Sequence, residues 1–122
     1  MAACFVSAID NISAQTKQRV RFAAGISSAS VKGTVGGYAY KDYLIKASAG
    51  QTIHVELTSS KTVSVLTIFL SNGDNLEGAA EMNEFTGELP TEGNYVIRVL
   101  MMRAEARRPG SISNYTLRIS IK

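Results

Sequence analysis

The stretch GNYVIRVLMMRAEARRPGSISNYTLRISIK, Gly93 to Lys122, decides the fold. Asn94, Val96, Arg98 and Leu100 alternate with Tyr95, Ile97, Val99 and Met101, which puts the two sets on opposite faces of a strand. A second alternating run covers Asn114–Ile121. Between the runs lies Met102–Arg108, followed by a turn at Pro109-Gly110. Met102–Arg108 has good helix formers, but it is too short to stand as a helix alone. The pattern at this end of the chain is β.

Moving toward the N-terminus, the strand signals continue. Arg19–Ala23 and Ser30–Val35 alternate, and Tyr38–Ile45 follows a Gly36-Gly37 break. In Gln51–Thr58, Ile53, Val55 and Leu57 share one face, while Thr52, His54, Glu56 and Thr58 share the other. Val63–Leu70, VSVLTIFL, is continuous and β-branched, which predicts a strand buried on both sides. Turns are expected at Ala49-Gly50, Ser71–Asp74, Leu89–Gly93 and Pro109-Gly110. Seven or eight short strands so punctuated predict an all-β fold, an antiparallel β-sandwich of about eight strands. Glu77–Glu84 carries no clear pattern.

Composition narrows the function. The 122 residues suit one domain, with 45% hydrophobic and 19% charged residues. A net charge of +3, the absence of Trp and an aromatic content of 7% argue against a nucleic-acid platform. No apolar run approaches the roughly 20 residues that span a bilayer. Residues 1–14 read as a signal remnant or disordered N-terminus, and 15–122 as a single domain. Met1–Ile9 is small and apolar, which fits the tail of a secretory signal cleaved after Ala8 or Ala14. It also fits the end of a lipoprotein signal, and a membrane association would then run through acylated Cys4. A plain first strand is the remaining reading.

Little here supports catalysis. His54 is the sole histidine and sits on the polar face of its strand, where a solvated or hydrogen-bonded role suffices. With no second histidine and no CxxC, no transition-metal cluster is expected, and Cys4 has no base beside it. The acids Asp42, Glu56, Asp74, Glu77, Glu81, Glu84, Glu88 and Glu92 are scattered, and spacing alone cannot pair them across a sheet. Ser71–Asn75 resembles a calcium loop only briefly, because it lacks the downstream glutamate, and a turn explains it.

Two clusters remain. Arg103 and Arg107 lie four apart, so a helical turn or an extended loop points both the same way. Forked guanidiniums suit bidentate capture of carboxylates and serve as interface hot spots. The bland alternative is a solvated loop in which Glu105 pairs with a neighbour for at most about 1 kcal/mol. The second cluster, GYAYKDY (Gly37–Tyr43), holds three of the five tyrosines. Tyr38 and Tyr40 share parity and Tyr43 opposes them, so one or two cap the core and the rest face solvent. Tyr95 and Tyr115 start strands after turns and are expected to be structural.

With GYAYKDY, the runs AGQTIHVEL (Ala49–Leu57), LPTEGNYVIRVLMMRAEARR (Leu89–Arg108) and NYTLRISIK (Asn114–Lys122) resemble the bacterial periplasmic lysozyme inhibitors, more narrowly the g-type and i-type inhibitor group. The likeness covers about Arg19 to Lys122. It implies an eight-stranded sandwich, periplasmic, without enzymatic activity or cofactor, whose partner is a lysozyme. It further implies recognition by a tyrosine of the first cluster and two arginines of the last loop, which match Tyr38, Arg103 and Arg107. Tyr40, Tyr43 and Arg108 are secondary candidates. Ala104 stands where the pattern has a polar residue, and Glu92-Gly93-Asn94-Tyr95 lacks the serine of a Ser-Gly-x-Tyr loop. A homodimer stays open. So do three other readings: a secreted carbohydrate- or cell-wall-binding sandwich, an anionic-polymer binder, and a hydrolase with a carboxylate pair.

Overall fold

The computed structural model describes residues 15–20, 28–59 and 64–122. The expected signal remnant lies outside these residues, as does the part of the Arg19–Ala23 run beyond Val20. Eight strands and one helical turn follow in order: β1 Gln15–Arg19, β2 Ser28–Gly36, β3 Tyr40–Ala47, β4 Thr52–Ser59, β5 Ser64–Phe69, β6 Glu84–Glu88, β7 Gly93–Met101, α1 Arg103–Ala106 and β8 Ile112–Ile121. They form two four-stranded sheets, ordered β1-β3-β7-β5 and β2-β8-β4-β6. Every pairing is antiparallel except β1 with β3, which run parallel. The predicted sandwich is therefore present, with one parallel pair at an edge. Strand β2, which intervenes in sequence, belongs to the other sheet.

The core follows from alternation. On β8, Ser113, Tyr115, Leu117, Ile119 and Ile121 turn inward, and on β7 Tyr95, Ile97, Val99 and Met101 do the same. Ile53, Val55 and Leu57 of β4 face them from the opposite sheet. The continuous apolar run is buried on both faces from Ser64 to Ile68, as its sequence predicts. Its edge is covered by the connection to β6, where Leu66 N–H donates to Met82 O at 2.7 Å and Ile68 N–H to Ala79 O at 2.9 Å. Such cover removes an exposed edge ladder.

Tyr95 is a structural residue, as expected. Its hydroxyl donates to Thr91 O at 2.5 Å and accepts from Thr91 N–H at 3.2 Å, tying the turn to the strand. The Ser71–Asp74 segment is the predicted turn: Asn72 Oδ1 accepts from Asp74 N–H at 2.9 Å, and Gly73 takes φ 95°. Strand β6 is an element that the sequence pattern does not reveal, and β1 lies N-terminal to the expected Arg19–Ala23 run, sharing only Arg19 with it. Glu84-Phe85-Thr86-Gly87-Glu88 is short, charged at both ends and interrupted by glycine, and it is ordered by pairing with β4.

Candidate functional site

Strand register brings the two sequence clusters to one end of the sandwich. Gly36, the last residue of β2, pairs with Ile112, the first of β8. Tyr40, the first residue of β3, pairs with Leu100 near the end of β7. The β2–β3 turn and the β7–β8 connection must therefore emerge side by side. They touch: Gly37 N–H donates to Ser111 O at 3.1 Å. Gly37 has φ +58°, and a side chain added there would lie 3.9 Å from Ala106 O. The backbone needs a left-handed residue at this position, and glycine supplies it cheaply. Ala39 N–H closes the turn onto Gly36 O at 3.1 Å, leaving Tyr38 at its tip with 68% of its surface exposed.

The arginine segment is a single helical turn held between two buried anchors, Met101 and Ala106. Met102 is extended, and Arg107 N–H donates to Arg103 O at 3.2 Å. Arg103 and Arg107 thus stand one turn apart on an exposed face, the helical alternative of the two that the spacing allowed. Among the described residues neither has an acidic partner within 4.0 Å. Arg108 differs, reaching Glu105 at 3.7 Å in an i,i+3 pair on a largely exposed surface. Such a pair contributes little, but it gives Arg108 a local partner.

The secondary tyrosines part company. Tyr43 is fully buried, so it is no surface contact, contrary to its place among the candidates. Its hydroxyl meets that of Tyr115 at 2.6 Å, the two rings packing edge to face at 6.5 Å. Burial raises the pKa of both phenols, so both stay protonated. Tyr40 is half-buried beneath a charge, with its ring 3.8 Å from the Arg98 guanidinium. Arg98 in turn grips buried Asp42 with two bonds of 2.8 and 3.1 Å, which raise the arginine's pKa further. Tyr40 therefore braces the start of β3 through a cation–π contact.

Sequence reasoning overlooked two side chains at this end. Met102 is 44% exposed and Ile112 is 56% exposed. With Tyr38 they account for three of the four large apolar residues exposed among the described ones. Both break the in–out alternation at a strand terminus, which is the signal that was available. Tyr38, Met102 and Ile112 thus expose apolar side chains at the same end of the sandwich as Arg103 and Arg107.

No family model matches the chain. The periplasmic inhibitor of g-type lysozyme from Aeromonas hydrophila has a similar structure, with 35% identity and a TM-score of 0.77, covering 88% of this chain and 97% of that one. A pre-peptidase C-terminal domain of a Bacillus anthracis collagenase shares the fold alone, at 14% identity and a TM-score of 0.56 over 87% of this chain and 94% of that one. The inhibitor of g-type lysozyme from Escherichia coli is 30% identical over 111 residues, 84% of this chain and 79% of the relative. On that identity and coverage, the chain belongs to the family of g-type lysozyme inhibitors.

Proposed function

We propose that this protein inhibits a g-type lysozyme by seating the Tyr38, Arg103 and Arg107 end of the sandwich in the enzyme's cleft. It acts as a binding protein in the periplasm, without catalysis of its own. The observation that carries this reading is the convergence of two segments more than sixty residues apart onto one exposed surface, with Arg103 and Arg107 unpaired among the described residues. Relatives that inhibit g-type lysozyme support the choice of partner over the i-type enzyme, and those with solved structures support the compartment.

Chemistry supplies the mechanism. A lysozyme cleft holds a catalytic glutamic acid, sometimes with a second carboxylate. A guanidinium offers a planar fork to such a group, and removing water from the pair strengthens it. Tyr38, Met102 and Ile112 exclude that water while the body of the inhibitor covers the sugar subsites. The net charge of +3 gives no long-range attraction to a basic enzyme, so affinity rests on short-range fit and changes little with salt.

The test is lysis of cell walls by c-, g- and i-type lysozymes with the protein added, followed as turbidity. Inhibition of the g-type enzyme is expected. Arg103→Ala and Arg107→Ala are each expected to lose inhibition while the melting temperature stays within a degree or two of the parent. A parent that inhibits none of the three sinks the reading; variants that inhibit like the parent sink the loop assignment.

A further inference from the structure

The strand that the sequence hides creates a second cluster on the outer face of the β2-β8-β4-β6 sheet. His54 and Glu56 occupy alternate positions of β4 and point outward together. Pairing with β6 sets Glu84 directly opposite Glu56, and Thr86 opposite His54. Two carboxylates facing each other across neighbouring strands repel. Arg118 relieves this only in part, reaching Glu56 at 4.0 Å with both side chains well exposed, and His54 Nε2 lies 3.7 Å from Glu84 Oε2.

The histidine is also held through its other ring nitrogen. Its Nδ1 bonds to Thr86 Oγ1 at 2.6 Å, which fixes the ring and turns Nε2 toward the carboxylates. The tautomer that donates Nδ1–H to threonine leaves a lone pair on Nε2, the arrangement found when imidazole binds a metal. One donor atom from each of His54, Glu56 and Glu84 lies within 4.8 Å of the other two. Around a tetrahedral zinc ion with bonds of about 2.1 Å, donors stand roughly 3.4 Å apart. The glutamate side chains are partly or largely exposed, so they can close that difference by rotation. Beside them is a shallow depression of about 400 Å³ that His54, Glu56, Arg118 and Ser120 help to line, leaving room for a water or outside ligand in the fourth position.

We propose that His54, Glu56 and Glu84 form a binding site for a divalent transition-metal ion of the Zn²⁺ type. One nitrogen and two carboxylate oxygens suit zinc, whereas calcium and magnesium take oxygen ligands. The ion neutralises the opposed glutamates and bridges β4 to β6. Thr86 is a positioning residue, acting through the imidazole. The site lies toward the far end of the sandwich from Tyr38: His54 and Glu56 face Ser120 and Arg118, six to eight residues along β8 from Ile112, or roughly 20–27 Å. It is independent of lysozyme binding.

His54 is the sole histidine of the chain, so its ring resonances report the site without assignment ambiguity. The experiment titrates ZnCl₂ into the untagged chain carrying Cys4→Ser, followed by calorimetry and by NMR of the imidazole. Expected are one equivalent of saturable binding and a shift of the His54 resonances that saturates with it. Glu84→Gln and His54→Asn each weaken binding at least tenfold, and Thr86→Val weakens it by about 10- to 100-fold. Absence of saturable binding overturns the proposal and leaves His54 as a surface side chain bonded to Thr86. Binding with unmoved His54 resonances, or with unchanged affinity in Glu84→Gln, overturns it as well.

Discussion

Tyr43→Phe separates a buried structural tyrosine from a contact residue. Tyr43 and Tyr115 share a hydroxyl–hydroxyl bond of 2.6 Å in the core, and Gly33 closes over them. Removing one hydroxyl leaves the other buried without the partner that the structure gives it. An unsatisfied buried group of this kind costs about 1–3 kcal/mol. For a domain of this length each kcal/mol moves the melting temperature by roughly 3–6 °C, so a cost of ~2 kcal/mol lowers it by roughly 6–12 °C. Tyr115→Phe should cost a similar amount. The double variant should cost less than either single change, because replacing both partners by apolar rings leaves nothing unsatisfied. The assays are urea unfolding of the parent, both single variants and the double, alongside lysozyme inhibition at a temperature where all are folded. Inhibition should be equal in all four proteins. Costs that simply add would show that the hydroxyls do not pair. Lost inhibition in Tyr43→Phe with unchanged stability would put Tyr43 on the docking surface and refute its burial.

Ile112→Ser tests the apolar part of that surface: if the complex buries this side chain, loss of ~1.5–3 kcal/mol weakens inhibition by about 10- to 150-fold, and unchanged inhibition removes Ile112 from the interface. Gly33→Ala drives a methyl group against Tyr115 Oη and to 2.7 Å from its Cζ ring carbon. Overpacking of this kind costs about 1–3 kcal/mol, so an unshifted urea midpoint would contradict the packing. Asp42→Ala leaves Arg98 charged over the Tyr40 ring; because Arg98 is 31% exposed and can hydrate, the cost falls below that of a fully buried pair, at about 1–3 kcal/mol. Thermal unfolding checks it, and a neutral result would mean that the ion pair is dispensable for holding β3 to β7.

Much of the fold can be read along the chain because period-two alternation is a local property. The alternating runs within Gly93–Met101, Asn114–Ile121 and Gln51–Thr58 each bury one of their two sets, and the β-branched run of β5 is buried on both sides. The opposite parity of Tyr38 and Tyr40 against Tyr43 is also local. Which parity faces the core is not, and only the position of β3 against β7 sends Tyr43 inward. Tyr38 escapes the question, because it sits in the turn before the strand begins.

The sequence by itself determined the class of fold, the arginine pair and the tyrosine cluster, since each rests on residues within one short segment. Tertiary structure decided which of those residues share a surface. The adjacency of Gly36 to Ile112 and of Tyr40 to Leu100 comes from pairings across more than fifty residues, which no local pattern encodes. The same holds for β6. Its own residues have weak strand preference, and pairing with β4 supplies the hydrogen bonds that order it, bringing Glu84 to His54 and Glu56.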